Sequence, residues 1–233
     1  MKAIVTGFVD TTTKPQRIAG YIYLPLHIFI IPLLLSLLSY CIPDKVNELT
    51  ANILYYALGL LFCLILMRKY LRRAFDILLD NIGKNFILLL SGYFMYFMLS
   101  YIVSLLMLLF LGDGVSNPNN EALIEMSGKN SGVTIALAVF IAPIVEEVLF
   151  RGIVFGSIRG KSRGAAYILS ISVFALYHVW QYALAFSDTS ILLYALQYIP
   201  AGYALAWSYE KTNCIWISIF LHMVINIFAV SLV

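Results

Sequence analysis

Apolar residues fall in runs of about 20 separated by short polar joints, the pattern of helices that cross a bilayer. Seven runs stand out, at about 21 to 42, 50 to 67, 86 to 111, 132 to 158, 165 to 186, 190 to 208 and 213 to 233. The predicted fold is all-α: a polytopic transmembrane helix bundle of about seven spans, forming a single domain over 1–233. Between the second and third runs, Leu71, Phe75, Leu78 and Ile82 recur at helical spacing while Arg72, Arg73, Asp76 and Asp80 fall elsewhere on the wheel. This predicts an amphipathic helix over about 68–85 on the cytoplasmic surface, with a plain extension of the second span as the alternative. The polar stretch from Gly112 to Ser131, with Asn117, Pro118, Asn119 and Asn120, reads as an irregular outer loop, either a lid or a simple connection.

Composition supports the membrane reading. The chain is 62% hydrophobic and only 12% charged, against about 25% charged in soluble domains. A net charge of +3 identifies no partner; membrane lipid is expected and nucleic acid is not. Cys41, Cys63 and Cys214 are odd in number and widely spaced, so neither a disulfide framework nor a zinc knuckle is indicated. The first twenty residues lack an apolar core, so no cleavable signal peptide is expected.

The basic residues set the orientation. Lys2, Lys14, Arg17, Arg68, Lys69, Arg72, Arg73, Lys84, Arg159, Lys161, Arg163 and Lys211 fall on one side of the seven runs, and only Lys45 and Lys129 on the other. The positive-inside rule then makes the amino terminus cytoplasmic. The short length of the chain suggests a bacterial plasma membrane as the location.

Glu146, Glu147 and Arg151 lie in the middle of the apolar stretch 135–158. Facing lipid, the three would cost on the order of 8 to 10 kcal/mol, so they face protein or trapped water. Two histidines are equally deep. Counted from the nearest basic residues, Glu146, His178 and His222 stand about 20, 22 and 17 Å into their helices, which permits one shared layer. Asn226 lies one turn beyond His222 on the same face. Glu147 and Arg151, four residues apart, form an ion pair along one helix face, which leaves Glu146, offset by about 100°, as the reactive carboxylate. Pro143 is expected to bend this span. His27, near the cytoplasmic end of the first span, reads as an interfacial side chain.

Common peptidase signatures such as His-Glu-x-x-His, Gly-x-Ser-x-Gly and Gly-x-Gly-Asp are absent from the sequence. Present instead, in this order, are Glu146-Glu147-x-x-x-Arg151, Phe174-x-x-x-His178 and His222-x-x-x-Asn226. Together they resemble the CPBP family of CAAX proteases and bacteriocin-processing enzymes, also called Abi or type II CAAX prenyl endopeptidase-like proteins. The resemblance covers roughly 135–230, within a catalytic core of about 132–230. It implies hydrolysis of a peptide or membrane-anchored protein, with Glu146 and His178 activating water and with His222 and Asn226 stabilising the oxyanion. Glu147, Arg151 and Phe174 would support them. The family is often labelled metalloprotease, and Glu146, His178 and His222 would be the ligands of a zinc or other divalent ion. That use would consume Glu146 as a ligand, so metal-free glutamate catalysis is favoured.

About seven spans, where prenyl-processing members have about eight, point away from prenylated substrates and towards peptide maturation or bacteriocin self-immunity. Two rival classes are a non-catalytic membrane adaptor for a partner such as a sensor kinase, with the polar cluster as helix glue, and a proton-coupled transporter. The absence of internal repeats weighs against the transporter.

Overall fold

The computed structural model describes residues 7–112 and 117–231. Lys2, positions 113–116 of the predicted outer loop, the last two residues of the seventh run and the side chain of Lys129 lie outside that description. Every regular element among the described residues is helical, so the fold is the expected all-α bundle.

Helix α1 (Lys14–Cys41) begins in a capping box in which Thr13 and Gln16 satisfy each other's backbone N–H groups. It is followed by α2 (Glu48–Ile65), capped by the Asn47 side chain on the Thr50 N–H at 2.9 Å. Then come α3 (Arg68–Asp80), α4 (Ile82–Leu111) and α5 (Pro118–Ile135). Without a break α5 passes into α6, which alternates π-helical Ala136–Ile141, α-helical Ala142–Glu147, π-helical Val148–Phe155 and α-helical Gly156–Arg159. The remainder is α7 (Arg163–Tyr177), the short α8 (Trp180–Ala185), a 3-10 stretch Thr189–Tyr198, α9 (Ile199–Thr212) and α10 (Ile215–Ser231).

A π-helical turn precedes both Pro32 in α1 and Pro143 in α6. Proline has no N–H to give and its ring crowds the carbonyl four residues earlier, and a widened turn relieves that conflict. The bend expected at Pro143 therefore takes the form of a change in helical register, and a second π segment follows Glu147 at once.

Helix α6 is central. Within its apolar window 56% of residues are buried, against 6% for α4, whose Phe94, Tyr101, Leu109 and Phe110 face outward as a lipid-facing surface requires. Gly59 of α2 allows a close approach, since a Cβ there would lie 2.6 Å from Val145 Cγ1, next to Glu146. On the basic side, Glu210 of α9 gathers Arg159, Arg163 and Tyr167 around one carboxylate.

Four expectations change. By length and apolarity four helices among the described residues suffice to cross a membrane, 14–41, 48–65, 82–110 and 132–159, while Arg163–Tyr177 and Ile215–Ser231 are shorter apolar helices. The predicted span 165–186 ends as a helix at Tyr177 and resumes only as α8, and the predicted span 190–208 starts as 3-10 helix. The supposed irregular outer loop is helical from Pro118 onward, because Asn117 caps it by accepting the Asn119 N–H at 3.0 Å and Pro118 suits its first turn. The segment near 68–85 is an amphipathic helix, but Met67, Tyr70, Leu71 and Ala74 form its buried face against protein, while Phe75, Leu79 and Ile82 are exposed. The Tyr70 and Tyr209 hydroxyls meet at 3.0 Å, and Trp216 Nε1 donates to the Leu71 carbonyl at 2.9 Å. His27 is fully buried in the π turn of α1, stacked on Tyr55 at 4.4 Å, because its helix packs that face inward.

Candidate active site

Three helices deliver the polar residues to one point. Glu146 comes from α6, between its two π segments. His178 is the first residue past α7, and His222 comes from the middle of α10. Glu146 Oε2 lies 3.8 Å from His178 Nε2 and 3.9 Å from His222 Nε2. It is buried and has no hydrogen-bond partner. These gaps are too long for direct bonds and suit one bridging water. The depth match read from residue counts is therefore met in space.

The far side of each ring is fixed. His178 Nδ1 lies 2.8 Å from the Phe174 carbonyl and His222 Nδ1 lies 2.9 Å from Glu147 Oε1. Both partners only accept, so each Nδ1 carries the proton, and in the neutral rings each Nε2 presents a lone pair towards Glu146.

Glu147 is the hub of the supporting layer. It accepts from Arg151 Nη1 at 2.7 Å, from the Ser218 hydroxyl at 2.6 Å and from His222, and is completely buried with Arg151. Arg151 also donates to the Gly202 carbonyl at 3.2 Å and lies over the Phe174 ring, 4.2 Å from its centroid. Sequence spacing predicted the Glu147–Arg151 pair. It did not predict that Glu147 also holds His222. Ser218 was missed although it stands one turn before His222 on the same helix face, the one signal that points to it.

Asn226 lines the same cavity and donates one amide hydrogen to the Ala138 carbonyl at 2.8 Å, which leaves the other available. The cavity, about 1010 Å³, extends from Glu146 and the two imidazoles between α1, α2, α4 and α5. Tyr56 and Tyr177 line it near Glu146, and no periodicity in the sequence distinguishes them from packing tyrosines.

A family model described as type II CAAX prenyl endopeptidase Rce1-like matches residues 129–228, the stretch that contributes all of these groups. Three relatives match, two of them described as membrane peptidases or proteases. YdiL of Bacillus subtilis, provisionally named a membrane peptidase, is 26% identical over 81% of this chain and 75% of its own. The membrane-embedded CAAX protease MroQ of Staphylococcus aureus is 27% identical over 60% and 55%. The UPF0177 protein YxdF of Lactococcus lactis is 34% identical over 39% and 45%. Over residues 129–228 this chain is similar to the CPBP family.

Its long apolar helices and this likeness make it an integral membrane protein similar to a protease family. Its matched region spans about half the length of MroQ and of YxdF. No solved structure matches it.

The metalloprotease label of the family that it resembles can be tested against the donor set of this protein. Zinc with ligand atoms at about 2.0 to 2.2 Å in tetrahedral array needs edges of roughly 3.3 to 3.6 Å. The gaps from Glu146 to His178 and His222 are wider, and among the described residues no three His, Cys, Asp or Glu are grouped to hold a metal ion. In this arrangement the three side chains do not fit zinc, and no step below passes through one.

Proposed function

We propose that this protein is an intramembrane endopeptidase that hydrolyses a peptide or membrane-anchored protein with a water held by Glu146, His178 and His222, without a metal. The observation that carries the reading is the unpartnered Glu146 Oε2 within one water's reach of two Nε2 lone pairs, at the wall of a cavity large enough for an extended peptide.

A water there gives its two hydrogens to this acceptor set and keeps a lone pair for the scissile carbonyl. As the C–O bond forms, one O–H bond breaks, its proton passes to Glu146, and the carbonyl electron pair moves onto oxygen. The free amide hydrogen of Asn226 is a donor for that oxyanion. His222 is a second donor only while Nε2 also carries a proton. Preorganised donors of this kind are worth typically 2.7 to 4 kcal/mol each. Collapse breaks the C–N bond, and the amine leaves with the proton from Glu146.

The proposed role is peptide maturation or bacteriocin self-immunity; the bacterial source of the three relatives supports a bacterial plasma membrane, and the distribution of basic residues supports a cytoplasmic amino terminus. The test is cleavage of candidate leader peptides by purified protein in lipid. Glu146→Gln and His178→Ala are each expected to abolish turnover while the variants still purify folded. Turnover equal to the parent in both would remove the mechanism. If instead Glu146→Gln preserves the cellular phenotype, the protein acts as an adaptor.

A further inference from the structure

His178 stands just past the end of α7, where no helical ladder fixes its ring. Two contacts do. Phe174 accepts from Nδ1, and Tyr198 lies face to face with the imidazole, centroids 4.2 Å apart and planes 20° from parallel. The carbonyl alone leaves the ring free to turn about its Nδ1 bond. The stacked phenol sets the plane, and the two together aim Nε2 at Glu146.

Tyr198 is itself held from the far side of the cavity. Its hydroxyl oxygen accepts from Asn117 Nδ2 at 3.1 Å and from Asn119 Nδ2 at 2.9 Å, and Asn117 Nδ2 also donates to Gln197 Oε1 at 2.7 Å. Asn117 is the buried cap of α5, the helix that runs directly into the strand of residues bearing Glu146. Asn117, Asn119, Tyr198 and His178 all line the cavity.

We propose that Tyr198 is a positioning residue that ties the orientation of His178 to the seating of α5 over the cavity; the inference rests on the proposed role of His178. Buried amide hydrogens are costly to leave unpaired. The Asn117 and Asn119 amides therefore leave the phenol only when other acceptors replace it, and the backbone carbonyls of an extended peptide are such acceptors. Admission of substrate beneath α5 and release of the His178 ring are then one event.

The chain has three histidines, so their ring signals in ¹³C-histidine-labelled, full-length protein in lipid nanodiscs can be assigned by single substitution. Tyr198→Phe, which keeps the stack and removes the hydroxyl, and the pair Asn117→Ala with Asn119→Ala are both expected to move the His178 signal and leave those of His27 and His222 in place. With a cleaved peptide, kcat should fall roughly ten- to hundredfold while KM does not rise, because the ring is misaligned while access is eased. Tyr198→Leu should give the largest displacement. An unmoved His178 signal in both the phenylalanine variant and the asparagine pair overturns the proposal, as does movement of all three signals together, which marks general loosening. The spectra do not depend on turnover. A parent protein that shows the predicted shifts yet cleaves nothing would leave the clamp standing and remove the proteolytic reading.

Discussion

Glu147 Oε1 and His222 Nδ1 meet at 2.9 Å, joining the centre of α6 to the centre of α10 through two fully or nearly fully buried groups. Because the carboxylate can only accept, this bond decides which ring nitrogen of His222 faces the cavity. Glu147→Gln keeps the volume but lets the amide present either a donor or an acceptor, so the tautomer is no longer imposed. The expected loss in kcat is on the order of a hundred- to ten-thousandfold, with KM nearly unchanged. Steady-state kinetics on any cleaved peptide checks it.

Arg151 tests whether that carboxylate depends on its ion pair. Arg151→Met leaves Glu147 buried without its cation and is expected to cost about 3 to 5 kcal/mol of stability. Adding Glu147→Met should recover much of the thermal stability, since an apolar pair replaces a buried ionic one, yet should restore no activity. Melting temperatures of the single and double variants in one detergent make the comparison.

The metal-free route predicts that exhaustive dialysis against a chelator leaves the cleavage rate unchanged and that elemental analysis finds no stoichiometric zinc. Loss of activity restored by one added divalent ion would contradict it.

Glu210 lies outside the apolar spans and gives a dependence on pH. Burial pushes its carboxyl up, but hydrogen bonds from Arg163, Tyr167 and Arg159 outweigh burial and hold it below the ordinary carboxylate value of 4.5. A lowered value means that the cluster's stabilisation is present above that ordinary value and fades as pH falls through the lower, folded-state one. Acid unfolding should therefore begin earlier in pH-resolved melting of the parent than its neutral stability suggests. Glu210→Gln should be less stable at neutral pH and should show a flatter acid limb.

The sequence carried the central carboxylate, the two histidines that meet it, the Glu147–Arg151 pair and the helical class, because charge in an apolar run has few tolerable locations. Spacing along α6 and α10 is regular enough that residue counting placed Glu146 and His222 at matching depth. What it could not carry depends on chain breaks and packing. The 165–186 run is apolar throughout, so nothing in its hydropathy marks the helix end at Tyr177. The polar residues of α5 hid a helix, since polarity without periodicity reads as loop. His27 was misplaced because hydropathy gives depth and not rotation, and rotation buried it against Tyr55. Tyr198 and Ser218 act through partners remote in sequence, which a single chain cannot reveal.

The early end of α7 also bears on how water would reach the proposed site. Past Tyr177 the α-helical ladder gives way beside Glu146 to two single turns, with the His178 N–H on the Ala175 carbonyl and the Val179 N–H on the Leu176 carbonyl, before α8 begins. Gln181, Tyr182 and Ala185 of α8 line the same cavity as Glu146. In the proposed reaction that stretch of wall is the route by which the second reactant arrives and polar products depart.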